Sequence, residues 1–321
     1  MRNAHLTLAA AAALLLLFGD GCNRSENKII GVVPKGRAHL FWQSVHAGAV
    51  KAAREAGVEV TWNGPPTETD YNVQLQIVDS MINRRVDAIV LAPIDRKVLV
   101  SVVERANTQG IPVVIFDSPI DTENFVSQVA TNNYAAGEMA AERMGEILKG
   151  KGEVVMVAVQ PGAASTMDRE KGFEDTIQKK FPGIRIIDKR YGMADFAKSL
   201  AVTENMLTAH PGLDGLFASN ESSAVGAAQA LKGRPGTKVK MVGFDWSPTL
   251  LEDVKAGVID SLVVQDPFRM GYDSVKAAIE KLNGGAPGKI QDLPPRLVTK
   301  ENLNDPGIQQ QLNPDLKKYL N

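Results

Sequence analysis

Cysteine is almost absent from this chain. Cys22 is the one thiol in 321 residues, so no disulfide can close within it. Histidine is nearly as scarce: His5, His39, His46 and His210 are scattered without metal-ligand spacing, and neither metal nor cofactor is expected. No Gly-x-Ser-x-Gly elbow occurs. An excess of one charge sign is missing too. The net charge is −1 with acids and bases interspersed, which removes the electrostatic footprint of a nucleic-acid binder. There is no Pro/Ser-rich linker and no low-complexity tract. Aromatic residues make up only 6% of the chain, so the adjacent Phe41 and Trp42 stand out.

The apolar run Leu6–Phe18 carries no charge and follows Arg2 and His5. It is too short to cross a bilayer as a helix but suits the apolar region of a secretory signal. Cys22 comes just after it, in GDGC, and resembles the lipobox cysteine of bacterial lipoproteins. Gly19 stands where a lipobox usually has leucine. A plain secretory signal would instead leave Cys22 an idle thiol. Residues 1–22 are therefore expected to be a lipoprotein-type signal ending at the anchored cysteine, with NRSEN a polar tether. On either reading the protein is exported.

What is present in quantity is alternation. KIIGVVP (Lys28–Pro34), VEVTW (Val58–Trp62), DAIVLAP (Asp87–Pro93) and IPVVIFD (Ile111–Asp117) are rich in Val and Ile and almost wholly apolar. Strands buried on both faces of a parallel sheet have this composition. Between them, Val73–Arg85 and Val98–Gly110 place apolar residues three and four apart, as helices do. The pattern restarts with Glu153–Val159, Ile184–Tyr191, Leu213–Asn220 and Val239–Asp245. The fold class is thus α/β, with two Rossmann-like doubly wound lobes and a cleft between them. The bounds expected are 28–130 with 265–293 for the first lobe and 131–264 with 294–321 for the second. Three crossings, near Thr131–Asn132, Val264–Gln265 and Leu293–Pro295, would form the hinge.

Ligands bind outside the carboxyl ends of such strands. There the chain places Lys35, His39, Phe41 and Trp42, then Asp117 and Ser118, Asn220, Phe244 with Asp245 and Trp246, and Gln265. Any one Asp or Asn at a strand end serves equally well as a turn former or N-cap. The aromatic pair could staple a helix to the core or form a platform. As a set, the acceptors, donors and aromatic faces match a neutral sugar, whose hydroxyls need both kinds of partner and whose ring offers a C–H patch.

The chain resembles the ribose-type periplasmic sugar-binding proteins, the soluble receptors of ABC importers, from about Lys28 to Val298. The resemblance rests on FWQSVHAGAVKAAREAG, VDAIVLAPID, IPVVIFDS, DREKGF, LTAHPGLDGLFASNE, MVGFD and LVVQDPFRMG. It implies a type I binding-protein fold, an aromatic pair that sandwiches the sugar (Phe41 and Trp42), and ligand contacts from Asp117, Arg169, Phe196, Asn220, Asp245 and Gln265. Asp117 would accept from ligand hydroxyls and Arg169, on the opposite lobe, would donate to them. Departures fall at Ser118, where the ribose binder has arginine, at Lys35 and His39, which replace smaller polar groups, and at Trp246, which replaces glycine. They turn the expectation from ribose to another pentose or hexose, a sugar alcohol or a furanose-like signal.

Catalysis finds little support. GEILKGKG (Gly145–Gly152) imitates a phosphate loop but lacks the terminal Ser or Thr and the strand-to-helix context. The resemblance makes Asp117 and Asp245 hydroxyl acceptors rather than a glycosidase pair. The export signal leaves no room for a repressor's helix-turn-helix. The expectation is a monomeric, exported solute-binding protein with no enzymatic activity. It would deliver a small neutral sugar or polyol to ABC permease subunits and touch the membrane only through Cys22. The alternative is a membrane-anchored sensor that presents its closed state to a receptor or sensor kinase.

Overall fold

The computed structural model describes residues 28–320; the expected signal segment and Cys22 lie outside the described residues. The path begins β1 (Ile29–Val33), α1 (Leu40–Ala56), β2 (Glu59–Trp62), α2 (Tyr71–Asn83), β3 (Ala88–Leu91), α3 (Val100–Thr108), β4 (Val113–Phe116) and β5 (Ser127–Thr131). It continues α4 (Asn133–Ile147), β6 (Lys151–Ala158), α5 (Ala164–Lys180), β7 (Gly183–Tyr191), α6 (Phe196–Ala209), β8 (Gly215–Ala218), α7 (Glu221–Lys232), β9 (Lys240–Phe244), α8 (Pro248–Ala256) and β10 (Ser261–Val264). It closes with α9 (Pro267–Leu282), β11 (Ile290–Leu293), β12 (Arg296–Thr299), α10 (Pro306–Leu312) and α11 (Lys317–Leu320).

Two six-stranded sheets result, ordered β11-β5-β4-β3-β1-β2 and β12-β10-β9-β8-β6-β7. All pairings are parallel except that of β12 with β10. Strands β3, β4, β8 and β10 are buried at every position, as their unbroken apolar sequences require. Alternate residues face opposite layers. Val32, Val90, Val114 and Phe116 pack with α1 and α9, while Val33, Ile89, Val113 and Ile115 pack with α2 and α3. The second sheet is covered on both faces in the same way. These are the doubly wound layers that the alternation in the sequence implied.

Strand β5 was not among the runs that stand out in sequence. SQVAT is short and half polar, yet it is buried because β4 and β11 flank it. The tail also divides. Ile308 and Leu312 of α10 enter the core beside the second sheet. Helix α11 returns to the first sheet's side, where Arg54 of α1 donates to the carbonyls of Lys318 and Tyr319. The expectation that residues 294–321 all accompany the second lobe therefore fails for this last turn. Its anchor is Tyr319, whose ring lies 5.7 Å from that of Phe268.

Close helix packing sets the site's supports. A Cβ on Gly48 of α1 would meet the Phe268 carbonyl oxygen of α9 at 1.9 Å, so only glycine lets these helices approach. Gly137 of α4 plays the same part against the carbonyl oxygen of Arg169 on α5, at 2.0 Å. These two contacts fix the helices that carry Phe41 and Arg169.

Candidate ligand-binding cleft

The carboxyl ends of the two sheets converge on a small polar cavity. The first sheet's side contributes Lys35, His39, Phe41, Trp42, Glu68 and Asp117. The second side contributes Ser165, Thr166, Arg169, Asn220, Glu221 and Asp245, with Gln265 following β10 at a crossing.

Lys35 lies two residues past the end of β1 and is buried. Its ammonium lies 2.6 Å from Asp117 Oδ2, close but poorly aligned for a hydrogen bond. It also donates to Ser165 Oγ across the cleft at 2.8 Å. His39 Nδ1 sits 2.7 Å from Glu68 Oε1, and Trp42 Nε1 donates to the same oxygen at 2.8 Å. Burial pulls His39 down, but the charge and hydrogen bond of Glu68, helped by Glu221 and Asp245, raise it to about 9. Burial alone would raise Glu68; His39, Lys35 and the Trp42 N–H hold it below the usual carboxylate range. His39 and Glu68 are therefore an ion pair at neutral pH.

Arg169 is only 2% exposed and has no ion pair among the described residues. Its Nε and Nη2 donate to Asn133 Oδ1 at 3.2 and 2.7 Å, and Nη1 donates to the Ser219 carbonyl at 2.6 Å. Beneath it the Phe244 ring lies 3.6 Å from the guanidinium carbon. A guanidinium has about five N–H donors, so some remain to reach into the cavity. Burial pulls Arg169 below its usual value, opposed by the charges of Asp245 and Asp117.

Asn220 caps α7, and its Oδ1 accepts from Ser223 N and Ser222 Oγ. That use of the oxygen leaves the amide N–H groups as what it can offer a ligand. Asp245 accepts from the Glu221 N–H at 2.9 Å and from Gln265 Nε2 at 2.7 Å. Burial pushes Asp245 up while Arg169 opposes. Gln265 Oε1 is buried without a hydrogen-bond partner among the described residues. Such an orphaned acceptor is costly unless something donates to it.

Nine of the thirteen residues picked out from sequence thus line the cavity, Asp117 and Arg169 on opposite sides as expected. The aromatic pair does not form two parallel walls. Phe41 and Trp42 stand at 87° with centroids 4.9 Å apart, both packed into the first sheet's core. They serve as core and as cavity wall together, which corrects the simple sandwich. Four residues fall outside the lining. Phe196 is 38% exposed and meets the His39 ring edge-on from the opposite side. Ser118 is buried and uses its Oγ to accept the Ser165 N–H across the cleft at 3.0 Å. Phe244 supports Arg169 from below. Trp246 turns away after Asp245 and lines a surface depression with Lys232, Asp253 and Leu303. That depression is a different place.

Glu68, Glu221, Ser165 and Thr166 were missed. Glu221 adjoins Asn220 at a strand end and Glu68 lies in the loop after β2, so position relative to strand ends was the available signal. Ser165 and Thr166 begin α5, three residues or more before Arg169, and carried no sequence signal of their own.

Two largely parallel sheets with a polar cleft between their carboxyl ends define a bilobal solute-binding protein. The chain belongs to the periplasmic binding protein family: the model described as "Periplasmic binding protein domain" matches residues 30–286. This is a family of binding proteins, not of enzymes. The chain is 30% identical over 261 residues to the ribose import binding protein of Bacillus subtilis, covering 81% of this chain and 84% of that one. It is 30% identical over 310 residues to the D-ribose/D-allose-binding protein of Pseudomonas aeruginosa, covering 92% and 96%. Among solved structures, a carbohydrate transporter solute-binding protein from Agrobacterium radiobacter, in complex with D-arabinose, superposes with a TM-score of 0.87. It is 35% identical and covers 90% of this chain and 99% of that chain.

Proposed function

We propose that the protein captures a small neutral sugar or polyol in this cleft and delivers its closed, liganded form to the permease of an ABC importer. The observation that carries this reading is the convergence of spare donors on Arg169 and Asn220 with the orphaned acceptor Gln265 Oε1 on one cavity. Groups of both kinds in one small space suit hydroxyls, which donate and accept. The charge balance suits a ligand without charge. Lys35, His39 and Arg169 face Asp117, Glu68 and Asp245, and Glu221, pushed up to about 7 by burial, adds only part of a charge at neutral pH.

Ligand would favour the closed state because its contacts come from both sides. The lobes proposed are those of the sequence reading, except for the last turn. The protein works outside the cytoplasmic membrane as a monomer, held there by a lipid on Cys22. A thermal-shift panel of pentoses, hexoses and polyols tests the reading, since a ligand at a hundred times its Kd adds about 2.7 kcal/mol. A panel in which no sugar or polyol moves the melt sinks it.

A further inference from the structure

Helix α1 reaches the cleft with its first turn unfinished. The cap residue His39 gives no side-chain hydrogen bond to the turn, because its imidazole is committed to Glu68. The Trp42 N–H reaches the His39 carbonyl at 3.2 Å, leaving the Leu40 and Phe41 N–H groups to be satisfied. Their acceptor comes from the other side of the cleft. Glu221, the first residue of α7, accepts the Leu40 N–H on Oε1 at 3.4 Å and the Phe41 N–H on Oε2 at 3.2 Å. Its own N–H is held by Asp245 at 2.9 Å, which aims the side chain across the gap.

The geometry points to Glu221 as a positioning residue: it caps α1 across the cleft and so holds Phe41 and Trp42 in place only when the lobes are closed. This rests on the sugar-binding reading but goes beyond it, because Glu221 acts on the helix rather than on the ligand. A carboxylate spread over two helix N-terminal N–H groups also gains from the helix dipole. Closing carries that carboxylate out of water. The charged groups facing it are His39 at the head of α1 and Asp245 at the end of β9, with Glu68 behind His39, Lys35 and Asp117 across the cavity, and Arg169 on its own side. Burial, reinforced by Asp245 and opposed by His39, raises Glu221 to about 7 in the closed form. In open water it returns toward the ordinary range near 4.5. Closing therefore takes up a proton between those two values, and acid favours it.

The test is titration calorimetry with D-ribose, D-allose and D-arabinose from pH 5 to pH 8, on wild type, Glu221→Ala and Glu221→Gln. Glu221→Ala should weaken every sugar that binds by one common factor, at least about fivefold, because a latch is blind to the ligand. Glu221→Gln keeps an acceptor without the charge. It should restore affinity at pH 8 to within about threefold of wild type and flatten the rise in affinity that wild type shows as pH falls. A loss that differs from sugar to sugar makes Glu221 a ligand contact and overturns the latch, as does an alanine variant that binds like wild type. If wild type binds no sugar, the sugar-binding reading has failed, and the latch is read from hydrogen exchange. With the lobes held shut by a Ser118→Cys/Ser165→Cys disulfide across the closed-form contact of these two residues, Glu221→Ala should then speed exchange of the Leu40 and Phe41 amides, and unchanged rates overturn it.

Discussion

Asp117 and Asp245 are counterparts in the two sheets. Each ends a strand next to the crossover, β4 and β9. Each holds a left-handed backbone, φ 62° and 64°, and donates its N–H to a neighbouring strand, to Val129 O at 3.0 Å and Val263 O at 2.9 Å. Few residues besides glycine tolerate this conformation; Asp and Asn do. Their surroundings differ. Asp117 faces the Lys35 ammonium, whereas Asp245 meets only neutral donors directly.

Asp117→Asn and Asp245→Asn should therefore both fold, since asparagine accepts the same backbone. Each should lower sugar affinity at least about tenfold, or about 1.4 kcal/mol, by removing a charged acceptor. Stability should separate them. Asp117→Asn leaves a buried ammonium unpaired and should lower the melting temperature. Asp245→Asn removes a carboxylate that burial disfavours, and should hold or raise it. Melts of the two variants beside calorimetric titrations check both halves.

Trp42→Ala should cost about 3–5 kcal/mol of stability, the range for emptying a large aromatic site, because Trp42 is 2% exposed and packed in the core. Trp42→Phe keeps most of the packing but loses the N–H to Glu68. Denaturant unfolding should place it between alanine and wild type. An alanine variant as stable as wild type would show that the ring is no part of the core.

The His39–Glu68 pair makes stability depend on pH in a stated direction. His39 is raised to about 9 in the folded protein against 6.5 unfolded. A raised base stabilises fully below its unfolded value, and the stabilisation is lost as pH rises through the folded value. Unfolding free energy should thus fall between about pH 6.5 and pH 9. His39→Gln should remove that slope; a slope unchanged in the variant assigns it to another group.

Cys22→Ser should release the exported protein from the membrane fraction with sugar binding intact. Wild type found wholly soluble after export, with no lipid mass on its N-terminus, would end the anchor proposal.

The layered α/β fold was legible because runs such as Asp87–Pro93 and Ile111–Asp117 are almost wholly apolar, as strands buried on both faces are. Strand β5 was not, because its burial comes from its neighbours rather than its composition. Among site residues, Asp117, Asn220, Asp245 and Gln265 could be read from their places at strand ends. Glu221 offered the same signal beside Asn220, but its role could not be read, since that lies in backbone N–H groups some 180 residues earlier in the chain. Trp246 misled for a related reason: the left-handed turn at Asp245 sends the next side chain away from the cleft.

The most direct test of a neutral-sugar cleft is one calorimetric comparison at pH 7.5. D-arabinose, or whichever panel sugar binds best, is titrated beside the aldonic acid of the same carbon chain. A cleft whose charges already balance should bind the sugar with one site per chain and the acid at least about tenfold more weakly, about 1.4 kcal/mol. Tighter binding of the acid, or no saturable binding of any neutral sugar or polyol, would contradict the neutral-sugar reading.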